Sequence, residues 1–480
     1  MAKEISFKEV KDQFHNNEIS AEEAIKLLKK INKKHPSEVV QFEIAMLEFN
    51  SGKKEKNYEK LLKFRNSKNT HVSSRANIAL SRYYIANKNL GQAREYLNDV
   101  DNSIFGGELN RQLAVIEKAT GNYETSRRRF EESIKKAKNP KSILGLGLLE
   151  LKYKHFDEAR AYANILKEMN EYNYAYKLLG NIEFKLNNYE EARDNFLQLL
   201  GSSIEDEAKL YLGTIYFDMG NNELAMKYFQ DLSNSIYKYH AMVRIARIKD
   251  FEGFHEEALD DLLNASAHLT DDHQYIDLCK TLSNLGRYEE ALSYLEKVHS
   301  EEFQESVEKT KVYIDIYKKD FESALHNLRN SSFAIETPKN FLWYYVFEKR
   351  YDTSFYNLDQ LCYGAKQILK YKSKWAIKHI KDHLSEDDTK SLHTLFYENV
   401  DVTSLYFEVR DKIQNMTRNS RNFTDKYIVK TNQIVGNIEG TETSYVIAVV
   451  IPDTKNILTM YPVVVSQKLR DIDYSKVRTK

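Results

Sequence analysis

The sequence predicts a mainly α-helical protein: an α-solenoid superhelix of about eight or more 33-residue helical hairpins, followed by a small C-terminal α+β region with an antiparallel sheet. Three observations predict it. A single residue pattern recurs every 33 positions without slipping. Glycine and proline are scarce, with 16 and 5 in 480 residues, which favours long helices over a turn-rich β fold. Near the end the periodicity switches from helical spacing to β-branched runs of strand length.

Residues 1–70 read as degenerate repeats or an N-terminal cap. Ser20-Ala21-Glu22-Glu23 has the spacing of a capping box, and Ala24, Leu27 and Leu28 follow on one helical face.

Residues 71–334 carry the repeat. Its anchor column is Ala93, Ser126, Ala159, Ala192, Ala225, Ala258, Ala291 and Ala324. Four residues later stand Leu97, Phe130, Ala163, Phe196, Phe229, Leu262, Leu295 and Leu328, one turn along the same face. A small anchor lets two helices approach closely, and the larger residue fills the space beside it. Three residues before the anchor come Leu90, Tyr123, Phe156, Tyr189, Asn222, His255, Tyr288 and Phe321. Five before it come Lys88, Gly121, Lys154, Asn187, Gly220, Gly253, Gly286 and Lys319, the Gly, Asn or Lys that a helix C-terminal turn prefers. Pairs such as Leu146-Gly147, Leu179-Gly180 and Leu212-Gly213 place a small residue in the preceding helix. Each unit is therefore helix, tight turn, helix, and buries its apolar face only by stacking on neighbours.

This pattern resembles the tetratricopeptide repeat family. Tyr176, Leu179, Gly180, Ala192 and Phe196 carry the match in one unit, and Leu212, Gly213, Tyr216, Ala225 and Phe229 in the next. The period is 33 where the family's is usually 34, and the family's proline at the repeat end is missing. The resemblance implies a concave groove that binds a protein or peptide. Candidates for that groove are Tyr176, from the matching residues themselves, and three tyrosines outside the packing columns, Tyr211, Tyr237 and Tyr313, because tyrosine is large, stiff and amphipathic. The competing reading is that they fill space between repeats. None of the histidines in the array forms a metal-binding pair with another His at helical spacing.

Residues 335–384 read as a basic, aromatic helical connector. Between Ala365 and Lys381 six lysines occur with no acid, including Lys370 and Lys374 beside Trp375. Basic and aromatic side chains together suit RNA binding, through phosphate contacts and base stacking. They equally suit the wet face of a helix whose apolar side is Ile368, Trp375 and Ile380.

Residues 385–480 read as the small α+β domain. Helices are expected around Lys390–Tyr397 and Thr403–Gln414, and strands at Tyr427–Val429, Tyr445–Ile451 and from Ile457 through Tyr461 towards Val465. The segment Glu442–Pro462, ending Asn-Ile-Leu-Thr-Met-Tyr-Pro, resembles the barnase/EndoU/colicin/RelE-like small toxin ribonucleases. That resemblance implies metal-free RNA cleavage with His393 as base. Period-two spacing puts Thr459 and Tyr461 on one sheet face, to bind phosphate or donate a proton, and Lys426 or Lys430 beside the first strand is the candidate phosphate-holding cation. The competing reading is that His393 is an ordinary helix residue and Thr459 and Tyr461 are exposed strand residues. The Lys-His-Val element of that group is absent.

Formal net charge is zero, so the whole chain is not marked for nucleic acid or membrane. Its longest apolar run, Tyr445–Ile451, is far short of the ~20 residues of a membrane helix. Cys279 and Cys362 fit neither a disulfide framework nor a zinc site, and no cofactor motif is visible. The expectation is a soluble cytoplasmic protein. Two functional readings stand side by side: a peptide-binding scaffold carrying an RNA-cleaving domain, and a non-catalytic adaptor or peptide-responsive regulator whose C-terminal domain is a docking or effector module.

Overall fold

The computed structural model describes residues 5–331 and 396–471, short breaks aside, together with Ala376, Ile377 and Ile380. The chain forms two compact units, one ending at Ile182 and one beginning at Glu183.

The first unit opens with α1 (Phe7–His15), α2 (Ala21–Lys34), α3 (Glu38–Asn50) and α4 (Lys54–Leu62). Ser20 caps α2 by accepting from the Glu23 N–H at 3.2 Å, while the fully reciprocal capping box forms one helix earlier, between Ser6 and Glu9. Regular hairpins follow: α5 and α6 (Thr70–Ala86, Leu90–Asn98), α7 and α8 (Asn102–Ala119, Tyr123–Lys136), α9 and α10 (Pro140–Lys152, Phe156–Glu168), then the start of α11 (Tyr172–Lys185).

The second unit takes up the end of α11 and continues with α12 (Tyr189–Leu197). Three hairpins come next: α13 and α14 (Glu205–Asp218, Asn222–Gln230), α15 and α16 (Lys238–Glu252, His255–Ser266), α17 and α18 (Asp272–Asn284, Tyr288–Leu295). The last described repeat helix is α19 (Gln304–Lys318).

The packing follows the sequence columns. Every anchor from Ala93 to Ala291 is fully buried, and the residues four further on are buried with it. Ala324 and Leu328 lie outside the described residues. A Cβ added to Gly213 would come within 2.5 Å of the Phe229 ring, so that glycine is what admits the larger side chain. The turn column adopts a left-handed backbone throughout its described members, from Lys88 (φ 58°) to Gly286 (φ 77°). Lys and Asn there carry a strain that glycine avoids. Cys279 packs in the core formed by α15 to α19, and burial pushes its thiol up to about 12.

After the repeats come α20 (Val402–Ile413) and six strands: β1 (Ser420–Asn422), β2 (Thr424–Lys430), β3 (Gly436–Ile438), β4 (Thr441–Thr443), β5 (Tyr445–Val450) and β6 (Ile457–Pro462). The short α21 (Gln467–Arg470) ends the described chain. The sheet is antiparallel in the order β1-β2-β5-β6, and β3 and β4 form a separate hairpin. Both sheet faces are covered. Tyr427, Val429, Val446, Ala448, Val450 and Met460 meet Leu405, Val409 and Ile413 of α20 on one side. By strand alternation Ile428, Tyr445, Ile447, Val449 and Tyr461 face the other way, onto Phe251 and Phe254 of the repeats.

Two expectations need correction. The helix expected through Tyr397 does not include Phe396, which forms an antiparallel bridge with Gly436; Tyr397 N–H then donates to Val435 O at 2.9 Å. The last strand stops at Pro462: Val463 N–H still donates to Tyr445 O at 2.9 Å, and Val464 then pairs with a repeat turn. In the connector, Ala376 and Ile380 lie one helical turn apart and bury in the α20-side core.

Candidate functional site

Helix ends supply the site. An α-helix leaves its first N–H groups and last carbonyls without internal partners. Where α13 turns into α14, Val464 N–H donates to Gly220 O at 2.9 Å and Asn222 N–H donates to Val464 O at 2.8 Å. The extended segment after β6 is thus bridged in parallel to the turn at Asn221. Asn221 also donates through Nδ2 to Ile438 O at 3.2 Å, and Arg193 pairs with Glu439.

One turn further along the array, Glu252 ends α15 with its side chain almost fully buried. Its Oε1 accepts from Ser466 N–H and from Asn222 Nδ2, both at 2.8 Å, and its Oε2 accepts from the Ser466 hydroxyl. Burial raises the Glu252 pKa, and the bonds from Ser466 and Asn222 pull against that rise. The Glu252 carbonyl accepts from Asn419 Nδ2 at 2.9 Å, and Asn419 Oδ1 accepts from Ile428 N–H at 2.7 Å. Beside it Gly253, at φ 96°, has Asn419 O only 3.2 Å from where a Cβ would stand. Lys468 with Glu257 and Arg470 with Glu223 make ion pairs at the rim.

Next to this seat lies a cleft of about 520 Å³. The array contributes Phe217, Asp218, Arg247, Asp250, Phe251, Asp277, Lys280, Thr281 and Ser306, and the sheet contributes Lys426, Ile447, Tyr461 and Val463. Phe217 and Phe251 meet edge to face at 5.8 Å. Arg247 Nε donates to Asp277 Oδ2 at 2.6 Å. Asp250 is held by His255 Nδ1 at 2.8 Å and by Asn284 Nδ2 at 3.0 and 3.1 Å. The Asp218 carboxylate makes no hydrogen bond or ion pair among the described residues. It is open to water in the cleft, yet the protein mass around it raises its pKa to about 6, with Arg247 pulling the other way. The surrounding protein sets the direction of that shift and cleft water limits its size.

The structure brings two of the sequence candidates together here. Lys426 stands over the Phe251 ring at 5.2 Å, and the Tyr461 hydroxyl is pushed up to about 12 by burial. Thr459 lies on the same sheet face, in one cross-strand row with Val449 and Lys426. Lys430, at the far end of β2, is exposed, 5.9 Å from the Tyr445 ring centre. His393, Lys370, Lys374 and Trp375 lie outside the described residues, as does the side chain of Tyr313.

Tyr211 stacks on Phe196 at 4.6 Å, and Tyr237 is half-buried at the start of α15. Tyr176 belongs to the first unit, stacked on Tyr172 at 6.4 Å with the Lys167 ammonium 5.8 Å from its ring centre.

Asn222, Glu252, Phe254, Ser466 and Asp218 are absent from the sequence candidates. A signal for the first was present: in a column otherwise apolar or aromatic, only Asn222 and His255 are polar, and they stand in the two repeats that carry the C-terminal domain.

Comparison with known proteins agrees on the repeats. Models of the tetratricopeptide repeat match residues 177–235 and 275–300. No curated protein matches the chain. Among solved structures, human IFIT1, a dimer with PPP-AAAA, is 15% identical over 70% of this chain and 88% of its own, at a TM-score of 0.43. PilF of Pseudomonas aeruginosa is 14% identical over 42% of this chain and 93% of its own, at 0.32. A tetratricopeptide repeat protein of Parabacteroides merdae is 16% identical over 52% of this chain and 98% of its own, at 0.34.

Proposed function

We propose that this chain, whose repeats are of the tetratricopeptide type, is a non-catalytic scaffold that binds extended peptide segments and holds its own C-terminal domain as a docked effector module. One observation carries the reading. The array already grips an extended segment, Val463–Ser466, by backbone pairing at a repeat turn and by the buried carboxylate of Glu252. That is how a peptide is recognised where main-chain hydrogen bonds supply affinity and neighbouring pockets read side chains. The adjoining cleft is open and falls within the roughly 300–1,000 Å³ typical of ligand sites. Selection of a displayed heptapeptide library on the full chain tests the reading. Enriched sequences that compete with one another support it, and a pool indistinguishable from the unselected library ends it.

RNA cleavage is the second reading, and the juxtaposition of Lys426 and Tyr461 in the cleft wall favours it. The repeats cover the sheet face that carries Tyr461, so an RNA strand has to enter through the cleft. Cleavage of total RNA by the full chain, lost in Tyr461→Phe, would establish it. Intact RNA after long incubation would leave the scaffold alone.

A further inference from the structure

We infer that the cleft selects peptides by a lysine or arginine side chain whose cation pairs with Asp218, a specificity that rests on the peptide-binding reading above. Three carboxylates line the cleft. Asp277 is bonded to Arg247, and Asp250 is bonded to His255 and Asn284. Asp218 alone of the three has no such partner among the described residues.

None of the cations already in the cleft makes an ion pair with Asp218 among the described residues. Arg247 is committed to Asp277, and Lys426 lies over the Phe251 ring. Lys280 stands on α17, two hairpins beyond the helix that carries Asp218. A cleft carboxylate without an ion-pair partner is stabilised by a cation that binds beside it, and a charged hydrogen bond is stronger than a neutral one. The other requirement of a long basic side chain is apolar surface for its methylene stem. Phe217 and Phe251 supply it in the same cleft.

The probe is a displayed heptapeptide library with unbiased positions, selected in parallel on the full-length wild type, Asp218→Asn and Asp218→Lys. The wild type is expected to enrich Lys or Arg at one position. Asp218→Asn is expected to lower that preference at least about tenfold, the loss of one charged hydrogen bond. Asp218→Lys is expected to exchange it for Asp or Glu. Enriched peptides without a basic position, or a basic preference that survives in Asp218→Asn, would overturn this specificity and leave peptide binding standing. A wild-type pool with no enrichment would overturn both. Circular dichroism of each variant confirms that the repeats remain folded in the comparison.

Discussion

Two turns of the array, three periods of 33 residues apart, have the same backbone and opposite fates. Gly121 and Gly220 are both left-handed, at φ 80° and 83°, and each is followed by asparagine. In the first unit the Gly121 carbonyl accepts from the Tyr153 hydroxyl of the next repeat at 2.9 Å, and Tyr153 packs against Tyr123 with ring centres 4.6 Å apart. In the second, the Gly220 carbonyl accepts from Val464 N–H. The residues at the Tyr123 and Tyr153 positions are there Asn222 and Glu252, hydrogen-bonded to each other at 2.8 Å. An aromatic pair satisfies its own turn and closes it. A polar pair leaves the carbonyl to an incoming strand and supplies a carboxylate to hold it. The repeat framework therefore sets where a turn can dock a strand, and two side chains decide whether it does.

The framework itself should fail equally in both regions. Phe130→Ala and Phe229→Ala each remove a fully buried ring that fills the space over a helix glycine. Each is expected to cost about 3–5 kcal/mol, read from chemical denaturation. A cost below about 1 kcal/mol at either site would mean that the repeats are not packed alike.

Docking should fail in one region alone. Glu252→Ala leaves the Ser466 N–H and hydroxyl and the Asn222 amide without their acceptor, all buried. A loss of about 2–4 kcal/mol follows from unpaired buried donors. Hydrogen exchange should show Val463–Leu469 losing protection while α5 to α10 keep theirs. The paired change Asn222→Tyr with Glu252→Tyr should give the same release with an intact repeat, because it rebuilds the self-satisfied turn. Retained protection of Val463–Leu469 in both variants would show that the polar pair is not the seat.

The rim pairs should matter less. Lys468 and Glu257 are each nearly half exposed, and Lys468 also lies 4.4 Å from the Phe254 ring centre. Lys468→Ala is expected to cost under about 1 kcal/mol, with the difference shrinking in added salt. A loss as large as that of Glu252→Ala would move the anchor from the buried carboxylate to the rim.

How much of this was legible in sequence follows from the same contrast. The anchor, filler and turn columns were readable because stacking imposes one chemical demand at every repeat, and each of Ala93 through Ala291 answers it. The sheet was readable from the β-branched run at Tyr445–Val450 and the return at Ile457–Pro462, and alternation put Thr459 and Tyr461 on one face. What covers that face was not readable. The contact joins Asn222 to Val464 and Glu252 to Ser466 across more than two hundred residues, with no spacing rule to mark it. Asp218 was hidden for another reason: its column holds Phe251 one repeat on, so nothing periodic flags a carboxylate without a partner.

The smallest expected effect concerns that carboxylate. Asp218 has its pKa raised from an ordinary 3.8 to about 6 in the folded protein. Below the unfolded value both states are protonated, and the folded state keeps its full relative stability. As pH rises through about 6 the folded state must ionise a group that its surroundings disfavour, and stability is lost. At pH 7.5 Asp218→Asn should therefore melt at or slightly above the wild type, by an amount reduced because the carboxyl touches cleft water. As pH falls from 7 to 4 that advantage should shrink to nothing, since the wild type takes up the proton that asparagine makes unnecessary. Thermal melts of the two proteins across this range decide it. A variant that melts lower at pH 7.5, or a difference that does not change with pH, would mean that Asp218 already has its cation within the protein, and that the cleft differs from the docking turn in having no polar group left to offer.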